Sequence, residues 1–220
     1  MKKNWWKILA IVLLTYTIFF GLLGQVPRRA ILNESIRNVY FHVPLWFAMI
    51  LLLGISVYNA VKYLKTNDLM FDTRSVEHTN TAVVYGALGC LTGSLWANYT
   101  WGDPWPNDPK LNSVAIGMLM YLAYFVLRGS MEDDQRRARI SAVYNIIAFA
   151  VFIPMIFILP RLNDSLHPGN GGNPAFGQYD MDNQMRRVFY PAVIGFMLLG
   201  VWIAQLRVRL REVENKLNEN

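Results

Sequence analysis

The sequence predicts an all-α protein that crosses a membrane six times, with both termini on the cytoplasmic side. Three observations predict the helical membrane fold. Of 220 residues, 54% are hydrophobic and only 16% charged, an unusually apolar balance for a soluble domain. Apolar runs of about 18 residues or more recur along the chain. The runs are continuous and do not alternate, which suits helices and not a membrane barrel. In lipid the backbone must satisfy its own hydrogen bonds, so no third option exists.

The first span, about 8–24, follows Lys2, Lys3 and Lys7. It resembles a secretory signal, but no small-residue cleavage site follows it. It is read as a retained span with Trp5 and Trp6 as interfacial anchors. The second span, about 39–63, opens on Arg37-Asn-Val-Tyr-Phe-His42-Val-Pro44. Proline is best tolerated in a first helical turn, which puts His42 at the mouth of this helix. A polar segment, 65–80, separates it from the third span, about 81–99. The fourth span is about 111–127 and the fifth about 140–159, with Pro154 as its kink. The sixth is about 188–206, and the charged tail beyond it is a short helical extension. Six spans joined in this way form a single domain over 1–220.

Two polar stretches carry the chemistry. One is the tryptophan-rich loop 96–110, with Trp96, Trp101 and Trp105 among Gly102, Pro104 and Pro106. Interfacial tryptophans alone would read as an aromatic belt. A backbone pinned by glycine and prolines, carrying large flat rings, is instead a platform for a flat apolar ligand. The other is the loop 160–187, with His167 followed by glycines and prolines that exclude a regular element.

Charge assigns the faces. The side holding both termini carries fourteen lysines and arginines against seven on the other, so the positive-inside rule makes the termini cytoplasmic. His42, the tryptophan loop and His167 then share the external face, and His78 falls on the cytoplasmic one as a structural residue. Six external arginines, Arg28, Arg29, Arg37, Arg161, Arg186 and Arg187, stand beside a single lysine, Lys110. Snorkelling accounts for some of them. A carboxylate ligand accounts for the preference, because guanidinium pairs with carboxylates through two parallel bonds.

Neutral imidazole ligates metals and haem iron alike. Zinc would need further ligands from Asp103 and Asp108. A haem has a flat apolar ring, an iron and two carboxylates, which match the indoles, the histidine pair and the arginines. The one cysteine, Cys90, excludes a disulfide framework, a redox pair and a covalent haem-attachment motif within this chain. No basic patch suited to nucleic acid is present, and no catalytic constellation is visible, so the protein is not read as an enzyme.

Trp101-Gly-x-x-Trp105-x-x-Asp108-x-Lys110-Leu111 resembles the tryptophan-rich "WWD" loop of cytochrome c assembly membrane proteins. Arg37-x-x-Tyr-x-His42-Val-Pro44 and Leu166-His167 resemble segments of the haem exporter protein C (CcmC) family. The likeness covers essentially the whole chain, although Pro104 and Asn107 stand where that family's loop usually has tryptophans. It implies haem b as cofactor, His42 and His167 as axial iron ligands, and a ring site that includes Trp96, Trp101, Gly102, Trp105, Asp108 and Arg37. It also implies a periplasmic haem chaperone (CcmE-like) as acceptor. The other implied partners are an ABC transporter (CcmA/CcmB-like), a small CcmD-like protein and the bilayer of a bacterial inner membrane. Two rivals differ in class. A b-type electron-transfer subunit would place histidine pairs inside helices. A solute transporter or scaffold would carry ionisable or broken-helix sites at mid-membrane.

Overall fold

The computed structural model describes residues 4–27, 31–167 and 181–218. Lys2, Lys3, Arg28, Arg29 and the stretch 168–180 lie outside the described residues. Among the described residues the chain is all-α, with six long helices and no strand. These are α1 (Trp5–Leu23), α2 (Val39–Thr66), α3 (Leu69–Trp101), α4 (Pro109–Gly129), α5 (Asp134–Phe157) and α7 (Asn183–Asn218), with a single turn, α6 (Leu159–Leu162), after α5. All but α3 belong to segments long and apolar enough to cross a membrane. The protein is a polytopic membrane protein.

Helix α2 is the axis of the bundle. Its Leu45, Ala48, Met49, Leu52 and Leu53 pack against Ala82 and Tyr85 of α3, Tyr121 of α4, Phe152 of α5 and Ala204 of α7. Most of α1 faces outward, burying only Ala10, Thr17 and Gly21. It leans on α7, where Trp6 meets Trp202 edge-on at 6.5 Å and Lys7 lies over both rings.

The structure departs from the sequence reading in α3. The segment 65–80 is not a connecting loop. Asn67 closes α2 in the left-handed conformation, with φ 55°, and the Asp68 side chain at once caps α3 by accepting from the Met70 N–H at 2.9 Å. A left-handed C-cap followed by a side-chain N-cap needs no further residues. At the other end α3 continues through Trp96 to Trp101, so the tryptophan-rich loop shortens to 102–108. Gly102, with φ 77°, ends the helix in a conformation other residues seldom adopt.

The polar residues at the start of α3 point inward. The Ser56 hydroxyl lies 3.0 Å from that of Ser75 and 2.7 Å from that of Thr79, and Asn145 donates to Ser56 at 2.7 Å. Arg128 closes on both Asp72 oxygens, and the Arg207 Nε–H donates to buried Glu77 at 2.8 Å. The polarity that suggests a loop is therefore an interhelical network. The charged tail is a helical extension of the sixth span, as its sequence suggests, because α7 runs unbroken through Pro191 to Asn218. At about 1.5 Å per residue it is about 54 Å long, well beyond a hydrocarbon core of about 30 Å.

Candidate functional site

Two histidines anchor the site. His42 is in the first turns of α2, and His167 follows α6. Alternating helix directions bring them to the end of the bundle where α3 stops and α4 begins, His42 against Trp96 and His167 against Trp101 near the end of α3. Each histidine stands beside one indole of α3. His42 lies 6.0 Å from the Trp96 ring and His167 lies 5.2 Å from the Trp101 ring, both edge-on.

His167 is held by Asp108. Asp108 is 1% exposed and is the N-cap of α4, with Pro109 at the first helical position. Its Oδ1 accepts from the N–H groups of Lys110 and Leu111 at 2.9 and 3.3 Å. Its Oδ2 accepts from the Ser165 hydroxyl at 2.8 Å and the Leu166 N–H at 2.7 Å. The His167 Nδ1–H completes the set on Oδ1 at 3.1 Å. Burial opposes ionisation of this carboxyl, but the bonds from His167, Leu166 and Ser165 outweigh it and hold the group well below the usual carboxylate range. With its Nδ1–H on the carboxylate, the neutral imidazole keeps its lone pair on Nε2, the arrangement found behind metal-ligating histidines.

His42 is held differently. Its Nδ1 lies 3.1 Å from Thr92 Oγ1, and the Trp46 indole N–H donates to its Nε2 at 3.3 Å. The ring reaches α3 because Gly89 and Gly93 remove side chains from its path. A Cβ at Gly93 would lie 2.7 Å from the His42 ring, and one at Gly89 would lie 2.7 Å from Trp46.

The other predicted site residues divide. The Trp96 N–H donates to Ser35 Oγ at 3.3 Å, so this indole is packed as well as presented. Trp105 is half-buried in the loop 102–108, its backbone N–H held by Asp103 at 2.9 Å, and it makes no ring contact with either histidine. Gly102 supplies the turn. Arg37 donates to the α1 carbonyls of Gly21 and Gly24 at 3.1 and 2.6 Å and pairs with Glu34, so its guanidinium ties α1 to α2. It also borders an open groove of about 340 Å³ between α1 and α3, lined by Phe41, Leu95, Trp96 and Tyr99.

Trp46, Thr92 and the Gly89/Gly93 pair were not singled out in the sequence. The readable signals were the four-residue spacings, which put Trp46 on the face of His42 and Gly93 on the face of Gly89. Among the described residues no three His, Cys, Asp or Glu side chains converge.

The family model of heme exporter protein C matches residues 2–220. The chain belongs to the heme exporter protein C family. The family's heme exporter protein C from Escherichia coli (strain K12) is 26% identical over 212 residues, covering 93% of this chain and 81% of that protein. The one from Paracoccus denitrificans is 23% identical, covering 80% of this chain and 73% of that protein. A cytochrome c biogenesis protein CcsA from a Synechococcus strain is 33% identical over 88 residues, 40% of this chain and 29% of that protein. In this member of the heme exporter protein C family, an ionised buried aspartate, two imidazoles and two indoles occupy one end of the bundle.

Proposed function

We propose that this protein binds haem b at the outer end of its bundle and presents it to a periplasmic haem chaperone during cytochrome c maturation. The observation that carries this reading is the Asp108–His167 pair. A buried carboxylate fixes the imidazole tautomer and leaves Nε2 as a ligand. The donor set fits the group, with a second imidazole at the same end and an edge-on indole beside each. Haem supplies an iron that takes imidazole nitrogen and a ring that lies on apolar surface. The protein's part is to bind and orient it as cargo, with no chemical step of its own. Trp101 and Trp96 shape the walls. Asp108 and Arg37 act from behind, the first on His167 and the second on the end of α1. The same reading implies an ABC transporter and a small membrane protein as further partners.

In the same reading the termini are cytoplasmic, the site is periplasmic and the bilayer is a bacterial inner membrane. Cysteines introduced as Leu166→Cys and Val213→Cys in a Cys90→Ser background distinguish the faces. An impermeant maleimide applied to intact spheroplasts should label the first and spare the second, and the reverse pattern would invert the topology.

Purified protein titrated with haem should give a bis-histidine low-spin spectrum. His167→Ala should remove that spectrum and weaken binding, and His42→Ala should change the ligation state while retaining part of the affinity. A spectrum unchanged in both variants would take the histidines out of the site. The electron-transfer rival has less support. His78 Nδ1 is 2.7 Å from the Arg74 carbonyl in its own helix, and no two histidines face each other across mid-span among the described residues. The charges buried in α3, Asp72 and Glu77, are paired with Arg128 and Arg207, which fits a clamp better than a transport site.

A further inference from the structure

The two imidazoles are not equivalent, and the difference lies in one hydrogen bond. Thr92 has a single hydroxyl proton, and that proton goes back to the Leu88 carbonyl at 2.8 Å, shared with Gly89 at 3.2 Å. Its lone pair is therefore what faces His42, so His42 Nδ1 carries the proton and donates it. The remaining nitrogen, Nε2, is an unprotonated acceptor. It is already occupied by the Trp46 indole N–H at 3.3 Å. An indole nitrogen is a donor only, so the pairing has one sense.

His167 shares the tautomer but not the obstruction. Its Nδ1–H is held by Asp108, and no side chain caps Nε2 among the described residues. One ligand is thus ready and the other is covered. Trp46 is also held in place. It lies one turn beyond His42 on α2, 6.2 Å ring to ring, and its indole fits the space left by Gly89.

We propose that Trp46 is a reversible cap on His42. Its indole N–H occupies the same lone pair that iron would take, so haem is held by His167 first and by His42 only when Trp46 swings aside. This rests on the haem-binding reading above. A carrier must release what it holds, and a donor that returns to Nε2 as the ligand leaves lowers the cost of release. Trp46 is a positioning residue, because it acts on haem through His42.

The test uses the full-length protein in detergent or nanodiscs. Trp46→Phe keeps an aromatic ring in the space beside Gly89 but has no N–H. Haem titration of this variant should show tighter binding, about fivefold, from the loss of a competing hydrogen bond of ordinary strength. In a His42→Ala background the same substitution should change affinity by less than about twofold, whereas a purely packing role for the indole would shift both backgrounds alike. A Trp46→Phe variant that binds haem no more tightly than wild type, with the bis-histidine spectrum intact, overturns the proposal.

A haem-free readout separates this inference from the reading beneath it. In protein labelled with 15N-tryptophan, the Trp46 Nε1–H resonance should move upfield in His42→Ala, as its acceptor disappears. A resonance that does not respond overturns the cap whatever the haem titration shows. A responsive resonance together with haem binding that ignores both His42 and His167 would overturn the site reading instead, and the cap's role in release with it.

Discussion

Replacing Asp72 with alanine is expected to destabilise the bundle by about 3–5 kcal/mol, the usual consequence of leaving one partner of a buried ion pair uncompensated. Arg128 meets both carboxylate oxygens of Asp72, with Nη1 at 2.8 Å from Oδ1, and the two side chains are only 14% and 9% exposed. The bidentate fork is the strong form of this interaction. Removing the carboxylate leaves a guanidinium buried between α3 and α4 with no counter-charge. Replacing both partners with apolar groups avoids that state, because two desolvated charges are roughly balanced by hydrophobic packing of the same volume. Asp72→Ala should therefore be far less stable than Asp72→Leu/Arg128→Leu. Thermal unfolding in detergent, followed by circular dichroism, orders the three proteins. A single variant as stable as wild type would mean that Arg128 reaches water or lipid headgroups and that the pair does not hold α3 to α4.

The same region marks where reading the sequence stops. Most of the helices announce themselves as apolar runs, because lipid on the outside and packing on the inside both favour apolar side chains. The start of α3 does not. Its Asp72, Ser75, Glu77 and Thr79 satisfy their polar groups on Arg128, Ser56, Asn145 and Arg207, residues distant in the chain. A local window registers only the polarity and assigns a loop. Arg37 misleads in a similar way. An external arginine suggests a ligand carboxylate, but the guanidinium is taken up by the carbonyls at the end of α1. The histidines and the α3 tryptophans could be found because their residue types are rare and chemically loaded. What each histidine can do was not legible, since that depends on whether Asp108 or Trp46 touches it. The Asp108-Pro109 pair was readable as a helix start. That the same aspartate also gathers Ser165, Leu166 and His167 depends on contacts across more than fifty residues.

Asp108→Ala is accordingly expected to have the largest effect on ligand binding of any substitution that does not touch the ligand. Its carboxylate accepts from two α4 amides, the Ser165 hydroxyl, the Leu166 amide and the His167 imidazole. Alanine removes a helix cap worth about 1 kcal/mol. It also frees His167 to rotate and to change tautomer, and loss of such a backing partner typically costs about 10–100-fold in metal affinity. If the loss acts through His167, the double variant Asp108→Ala/His167→Ala should bind haem no worse than His167→Ala alone. A further drop in the double variant would mean that Asp108 touches the ligand or supports another part of the site.

The acid limb gives an independent check. The Asp108 carboxyl is held below its ordinary range in the folded protein. Its contribution to stability is therefore fully present above the unfolded value, near pH 4, and fades only as pH falls through the lower folded value. Lowering the pH from 7 to about 5 should leave the α4 cap and the 165–167 contact intact, which amide exchange at Lys110, Leu111 and Leu166 would report. Asp108→Asn has no proton to gain there. At low pH its protection factors at those amides should stay constant, while the wild type's fall once the carboxylate is finally protonated. Early loss of protection in the wild type, already at pH 5, would show that the carboxylate is not held as the geometry requires, and the argument for a fixed His167 would fall with it.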